Sequence, residues 1–196
     1  MKPTGKLLKS NMNSYKALNK QTYTSGKYSI VPLRMEDRYS ILKWRNEQIY
    51  HLRQDKPLTA EDQENYFTNV VNVLFEQEQP IQMLFSFLEN DICIGYGGLV
   101  HINWIDKNAE ISFVMNTKLE NQYFQKYWNI YLDLIEKVTL EELYFHKLYV
   151  YAFDLRPHLY VALEVSNYFL DARLKEHCFF GDKFIDVVIY SKIYKY

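Results

Sequence analysis

A chain of 196 residues is the length of one domain, and 48% hydrophobic with 24% charged residues is the composition of a folded globular protein rather than a disordered one. A net charge of −1 and a pI near 6.5 argue against nucleic acid as the main partner, since phosphate binding needs a concentrated basic surface. No run approaches the roughly 18 apolar residues of a spanning helix, and no signal-peptide core follows the first lysines, so we expect a cytoplasmic protein without a membrane span.

The charge is unevenly distributed between the N-terminus and the rest of the chain. Residues 1–27 carry six lysines and no acid, whereas the remainder has 17 basic and 24 acidic residues, a net charge of −7. Because the segment is polar and lacks apolar periodicity, we expect a basic, flexible arm over 1–27 ahead of one domain over 28–196. A contact with lipid phosphates or a partner is the alternative. The two cysteines, Cys93 and Cys178, are expected to be reduced core thiols.

The apolar pattern predicts strands and helices in an order that gives a mixed sheet with helices packed on it, the α/β (α+β) class. Thr59, followed by acids, is expected to cap the second helix, and Pro157 and Asn167 to bound the last one. In chain order the expected elements are strand 28–34, helix 35–54, helix 59–75, strands 82–88, 92–104 and 109–116, helix 122–138, strand 147–153, helix 158–166, and strands 172–180 and 184–193.

The turn at residues 106–107 predicts how the two strands that it joins are paired. With these residues at its centre, Asn103 faces Glu110 and His101 faces Ser112. The alternation of a strand places all four on one face, opposite an apolar face. Because an unsatisfied buried polar group costs about 1–3 kcal/mol, this face is either solvent-exposed sheet or the floor of a polar cleft.

Three stretches of the chain carry ordered motifs. They are ILKWRN at 41–46 with LTAEDQENYF at 58–67; AEISF at 109–113; and LEVSNY at 163–168 with DARLKEH at 171–177 and GDKFIDVVIYS at 181–191. Together they resemble the GNAT superfamily of acyl-CoA-dependent N-acetyltransferases over about residues 28–193. The opening is similar to that of bacterial members that acetylate amino groups of nucleotide-linked sugars, AEISF is similar to the central strand, and the last stretch is similar to the family's ending.

The resemblance implies a single domain whose mostly antiparallel sheet is splayed at a bulge, with helices on both faces. It also implies direct transfer from acetyl-CoA, as co-substrate and without a metal, to an amine. An alkylammonium with pKa near 10 costs about 4 kcal/mol to deprotonate at pH 7, so a base is useful. Glu110, with His101 as its partner, is the candidate on the strand face of the cleft. Main-chain N–H groups at Phe113, Val114 and Met115 are expected to meet the thioester.

Relatives follow the central strand with a glycine-rich loop that binds the pyrophosphate of coenzyme A. No glycine lies between Gly98 and Gly181 in this chain, so the matching segment departs from that pattern. Lys126 could supply a compensating charge. The segment expected to bind the cofactor consists of Gln122, Tyr123, Phe124, Gln125, Lys126 and Tyr127.

Relatives often carry a general-acid tyrosine on the short helix that follows. The matching position here is Leu163, or Glu164 if the alignment slips by one residue, and Tyr160 lies one turn away. Tyr160 and Glu164 are therefore the candidates for this role.

The acceptor is expected to be a small-molecule amine, with a nucleotide-linked amino sugar favoured over a protein N-terminus or another metabolite amine. Arg45 could meet a nucleotide phosphate. Two alternatives remain open: a catalytically degenerate binding or assembly module, and an RNA-binding module that uses the lysine arm. A homodimer is a further candidate partner state. The expected acceptor residues are Trp44, Arg45, Asn46, Asn103 and Ser112.

Overall fold

Alternating apolar and β-branched segments form one eight-stranded sheet in residues 13–195, the part of the chain that this computed structural model describes. The strands are β1 Tyr23–Ser25, β2 Tyr28–Pro32, β3 Met83–Glu89, β4 Ile92–Asn103, β5 Asn108–Met115, β6 Lys147–Phe153, β7 Phe169–Phe180 and β8 Lys183–Ile193. Their order in the sheet is β1-β2-β3-β4-β5-β6-β8-β7, and every neighbouring pair is antiparallel except β5 and β6. The predicted single domain with a mixed, mostly antiparallel sheet is confirmed.

The helices begin where the sequence supplies caps. Thr59 and Asp62 form a capping box at the start of α2, and Pro157 opens α5, as predicted. No helix within residues 13–195 is both long and apolar enough to cross a membrane. The helices are α1 Arg38–Glu47 between single 3₁₀ turns Met35–Asp37 and Ile49–His51; α2 Ala60–Tyr66 and α3 Asn72–Phe75, joined by a π-helical turn Phe67–Val71; α4 Thr117–Val138, extended by a π-helical turn Thr139–Leu143; and α5 Pro157–Val165.

Neighbouring residues of β5 show that helices cover both faces of the sheet. The ring of Phe113 stacks on Tyr131 of α4, with centroids 4.0 Å apart. Ser112 points to the other face, into a cavity bounded by α1 and α2. The close approach of α4 requires Gly97 on β4, because a Cβ there would lie 2.0 Å from the Ser112 carbonyl oxygen and 2.7 Å from the Tyr131 hydroxyl.

The β4–β5 hairpin does not have the predicted register. Glu110 faces Val100 and Ser112 faces Gly98, each three residues from the partner that the turn predicted. The prediction assumed a tight turn and an uninterrupted ladder, and neither assumption holds.

A longer turn and a bulge explain the shift. The Oδ1 of Asn103 accepts hydrogen bonds from the backbone amides of Ile105 and Asp106, so Asn103 holds the turn instead of joining a polar cluster. The ladder is irregular between Val100 and Asn103, where His101 has a φ of +49°. The bulge turns the His101 side chain toward Glu110 despite the changed register.

The predicted flexible arm is wrong for residues 13–27. Tyr15 is 1% exposed, and its hydroxyl donates to the Leu84 carbonyl at 2.9 Å and accepts from the Leu84 amide at 2.6 Å. Leu18 and Tyr23 are also buried, and Tyr23 begins β1. These few large apolar side chains are enough to attach an otherwise polar segment to the core. The remainder of the predicted arm, residues 1–12, lies outside the described residues.

Candidate active site

The sheet opens between β5 and β6. The two parallel strands pair over only three positions, from Asn108 with Lys147 to Glu110 with Tyr149, and then separate. The gap, which we call the notch, encloses about 80 Å³. It is lined by residues 111–113 of β5 and 150–153 of β6, with Trp128 and Leu159 behind them. The splay expected from the family resemblance is therefore formed.

Backbone groups of β5 face the notch at alternate residues. The Asn116 amide donates to Ile94 of β4, whereas the Met115 carbonyl accepts from Gln48 on the opposite side. Because these directions alternate along a strand, the amides of Phe113 and Met115 face the notch and that of Val114 faces β4. Two of the three predicted thioester contacts are thus directed into the gap.

Glu110 lies at the closed end of the notch, at the last position where β5 and β6 pair, with both carboxylate oxygens bound. Its Oε1 accepts from Arg53 Nη2 at 2.5 Å, and its Oε2 accepts from His101 Nδ1 at 2.9 Å. Glu110 is 4% exposed, whereas the His101 side chain is 61% exposed. The predicted pair is thus in contact, and Nδ1 of His101 carries the proton that the carboxylate accepts.

Glu110 also borders a second, wider space. The Glu110 cleft, of about 600 Å³, is lined by Arg53, His101, Glu110, Tyr149 and Tyr151, among others. Glu110 therefore lies between the notch and an open cleft, where a carboxylate can take a proton on one side and release it on the other.

Two residues of this cluster were not singled out from the sequence. Arg53 lies 4.7 Å above the ring of Tyr151, and Tyr151 lines both the notch and the Glu110 cleft. The Tyr151 hydroxyl is 3.4 Å from Cys178 Sγ, and burial raises its pKa, so Tyr151 holds its proton at neutral pH. The alternation of β6 could have indicated Tyr151; no pattern marks Arg53, which follows a 3₁₀ turn.

Ser112 also lines a separate space beneath α1 and α2. This α1–α2 cavity measures about 340 Å³ and is lined by Arg45, Asp62, Gln63, Tyr66, Gln82, Tyr96 and Ser112 together with apolar side chains. Ser112 lines both spaces. Two predicted acceptor residues, Arg45 and Ser112, therefore border one cavity.

The other predicted acceptor residues are structural. Trp44 is buried in the core. Asn46 closes the loop before α2, donating from Nδ2 to the Leu58 carbonyl and accepting from the Leu58 amide, both at 2.8 Å. Asn103 holds its turn, as described above. The side-chain amides of Asn46 and Asn103 form hydrogen bonds within the fold, and neither side chain lines the cavity.

The structure does not bring Tyr160 or Glu164 into the notch. Tyr160 stacks on Tyr190 of β8, and its hydroxyl donates to the Asp154 carboxylate. Glu164 is exposed and accepts from the Tyr190 hydroxyl. The helix α5 presents Leu159 to the notch instead.

The segment predicted to bind pyrophosphate is helical. Residues 122–127 lie inside α4, which begins five residues earlier because the Asn116 side chain caps it, accepting from the Lys118 amide at 3.1 Å. Amides within a helix are paired with carbonyls one turn earlier, so they cannot bind a diphosphate. Gln122, Gln125 and Lys126 are exposed, and the predicted loop is wrong.

The aromatic rings of that segment leave the notch unfilled. Tyr123 stacks on Tyr127, which packs against Tyr28 and Phe87 over the far side of the sheet. Phe124 packs against Trp128 and His158. None of Tyr123, Phe124 and Tyr127 lines the notch.

A chain of polar side chains crosses the notch at the end near α4. In this Arg156 bridge, Arg156 Nη1 donates to His51 Nε2 at 3.1 Å, His51 Nε2 is 3.2 Å from Gln48 Oε1, and Gln48 Nε2 donates to the Met115 carbonyl at 2.7 Å. Burial, with the nearby Arg156 charge, lowers the pKa of His51 to about 3. Glu120, in the first turn of α4, lies 3.9 Å from Arg156, and burial raises its pKa. A guanidinium and a carboxylate thus lie at the first turn of α4, ahead of the segment where the glycine loop was expected.

The comparisons with known proteins agree with this geometry. The model of the acetyltransferase (GNAT) domain family matches residues 30–189. The chain belongs to the GNAT acetyltransferase family. The predicted class of enzyme, an N-acetyltransferase, is confirmed by this match.

Solved GNAT structures share the fold at low sequence identity. A spermidine N-acetyltransferase from Vibrio cholerae, in a crystal structure with CoA and spermine, has a TM-score of 0.73 and 16% identity, covering 86% of this chain and 96% of that one. A GNAT-family acetyltransferase from Bacillus anthracis has a TM-score of 0.70 and 16% identity, covering 88% and 98%. These likenesses establish the GNAT fold, and they leave the acceptor of this chain to be argued from its own residues.

Proposed function

We propose that this GNAT chain transfers the acetyl group of acetyl-CoA to a primary amine of a small molecule by direct attack. The observation that carries the proposal is the position of Glu110, which borders both the notch and the Glu110 cleft. The thioester would enter the notch, and the amine would approach from the side of Ser112.

Glu110 is the proposed base. The ammonium of the acceptor gives a proton to the carboxylate, and the proton leaves through the open cleft to bulk water. Arg53 and His101 hold the carboxylate in place through its two oxygens, so they act as positioning residues. The neutral amine then attacks the thioester carbonyl, forming the C–N bond.

Backbone amides and Tyr151 complete the reaction. The oxyanion of the tetrahedral intermediate is stabilised by one of the backbone amides that face the notch, that of Phe113 or that of Met115. As collapse breaks the C–S bond, the attacking nitrogen loses its second proton to Glu110 and through it to solvent, and the departing thiolate takes a proton from the Tyr151 hydroxyl, which solvent then restores. A thiol of pKa near 8.5 is a good leaving group, so this proton transfer contributes less than the base does.

The proposal is tested by thiol release from acetyl-CoA with a panel of amines. The panel contains nucleotide-linked amino sugars, the acceptors favoured by the sequence; polyamines, the acceptors of the Vibrio cholerae neighbours; and aminoalkyl acids. We expect Glu110→Gln to lower kcat by about 10²–10³-fold and Tyr151→Phe by about 10-fold. Glu64→Gln, a change at a half-buried ion pair with Arg38 that lies outside the notch and the Glu110 cleft, is the matched control. Full activity in Glu110→Gln would remove Glu110 from the mechanism.

One observation favours a second candidate, a binding module that has lost catalysis. The Arg156 bridge occupies the Met115 carbonyl, and α4 begins without a diphosphate loop. Calorimetric titration separates the two proposals. The enzyme must bind acetyl-CoA below millimolar concentration, whereas a module without the co-substrate site shows no heat over that range.

A further inference from the structure

The α1–α2 cavity contains a guanidinium with hydrogen-bond donors to spare. Arg45 donates from Nε to Gln54 Oε1 at 3.1 Å and from Nη1 to the Tyr96 hydroxyl at 2.7 Å. A guanidinium has five N–H donors, so three remain without a partner among residues 13–195. Arg45 therefore has unused capacity for an oxyanion in the cavity that it lines.

No carboxylate of the described residues neutralises Arg45. The carboxylate that lines the cavity belongs to Asp62, whose Oδ2 accepts from the amide and hydroxyl of Thr59 in the capping box. No ion pair joins Asp62 or any other acid within residues 13–195 to Arg45. Buried charges are usually paired, so a partly buried arginine without an acid partner is well suited to bind an anion from outside.

The hydroxyls of two tyrosines add hydrogen-bond donors to the α1–α2 cavity. The Tyr96 oxygen accepts from Arg45, and the Tyr66 oxygen accepts from Gln82 Nε2 at 2.9 Å. Each hydroxyl keeps its own proton free to donate, and burial raises the pKa of Tyr66, so that proton is retained at neutral pH. Arg45, Tyr66 and Tyr96 thus form a set of donors on one cavity wall.

We infer that Arg45, Tyr66 and Tyr96 bind the acid group of the acceptor, so that the substrate is an amine carrying a carboxylate or phosphate. The inference rests on the proposed function, because it places the amine at Ser112, which lines both the cavity and the notch, and the acid at the far wall. A volume of about 340 Å³ is at the small end for ligand sites, which indicates a compact acceptor. A polyamine carries only ammonium groups, so it has no anion that could pair with Arg45.

Matched pairs of amines test the inference. We compare kcat/KM for 6-aminohexanoate with hexylamine, and for 2-aminoethyl phosphate with ethanolamine; spermidine represents the polycations. We expect the acid-bearing member of at least one pair to be preferred by about 10- to 100-fold, as a charge-assisted pair would give. The preferred pair identifies the acid as a carboxylate or a phosphate.

Variants of Arg45 locate the effect. Arg45→Gln should raise KM for the acid-bearing amine by about 10- to 100-fold with a small change in kcat, leaving KM for the neutral amine within about 2-fold. Arg45→Lys keeps the charge and should recover part of the affinity, which a merely structural arginine would not do. Arg38→Gln, at the half-buried start of the same helix and outside the cavity lining, is the control and should leave both KM values unchanged.

The possible failures are distinguishable. If no amine in the panel is acetylated, the proposed function is wrong, and the inference that depends on it is lost with it. If neutral amines or spermidine are acetylated as well as their acid-bearing partners, and Arg45→Gln changes neither, the acid subsite is refuted while the transferase remains.

Discussion

The arginines that line the α1–α2 cavity and the notch differ in how far their charges and donors are paired. In the α1–α2 cavity, Arg45 keeps unused donors and forms no ion pair with an acid of residues 13–195, although Asp62 lines the same cavity. In the notch, Arg156 is 9% exposed, bound to His51 and next to Glu120, while Arg53 is paired with Glu110. A ligand can bind Arg45 in the α1–α2 cavity without breaking an internal contact, whereas a ligand of the notch has to replace internal contacts.

This difference indicates at which of the two spaces part of the binding free energy is used to break internal contacts. An acceptor that meets Arg45 adds hydrogen bonds without breaking any. A thioester carrier that pairs with the Met115 carbonyl has to displace Gln48 first. The donor side is therefore expected to bind more weakly than its contacts would suggest.

The largest expected effect is a difference in the free energy of unfolding between variants of Arg156 and Arg45. Arg156→Met should lower the free energy of unfolding by about 2–4 kcal/mol, because it leaves Glu120 and His51 without their buried partner. Arg45→Met should cost less than about 1 kcal/mol, because it removes a cation that has no acid partner. Urea denaturation measures both. Equal losses would show that Arg45 is structural and would end the comparison.

The pH dependence of stability is the next effect in size. His51 has a pKa of about 3 in the fold and about 6.5 when unfolded, so between these values the unfolded chain binds more protons. Stability contributed by neutral His51 is complete above pH 6.5 and is lost as the pH falls toward 3, by at most about 1.4 kcal/mol per pH unit. His51→Gln should flatten the slope between pH 7 and 5. The exposed His177→Gln should keep the wild-type slope; if both variants behave alike, His51 is not the group responsible.

A smaller effect tests whether the Arg156 bridge opposes the co-substrate. Gln48→Leu frees the Met115 carbonyl, so KM for acetyl-CoA should fall by about 3- to 10-fold, the value of one hydrogen bond. Gln125→Leu, on the exposed face of α4, should leave KM unchanged. An increase in KM for Gln48→Leu would instead make Gln48 part of the donor site.

The smallest effect separates two tyrosines. Tyr160→Phe should change kcat by less than about 2-fold, because the hydroxyl is bound to Asp154 outside the notch. The initial rate of thiol release measures the change. A loss as large as that expected for Tyr151→Phe would return Tyr160 to the mechanism.

Much of the fold could be predicted because it follows from local patterns. The capping box at Thr59, the proline that opens α5 and the left-handed Asn167 are short-range signals, and each is found where expected. The strand pattern that ends at Asn116 does not predict the start of α4, although the Asn116 side chain is a good helix cap. Tyr15 could not be placed because its partner, Leu84, is 69 residues away.

Part of the site was predicted from the sequence, but the register behind that prediction is not the one that the structure has. Glu110 and His101 do meet, but through a bulge at His101 and not through the assumed register. Arg53, Tyr151 and the Arg156 bridge come from loops and strands distant in sequence, and no spacing rule connects them. Alternation along one strand is readable from sequence; which loops converge on it is decided by tertiary packing.

The anchoring of Tyr15 has a practical consequence for shortened forms of the protein. A fragment cut to the family-matched span, residues 30–189, would lose Tyr15, Leu18 and β1 at one end and the buried Ser191 and Tyr194 at the other. The edge of β2 would then be left open to pair with other molecules. The smallest stable fragment is therefore longer than the span matched by the family model, and trimming for crystallisation should stop before residue 13.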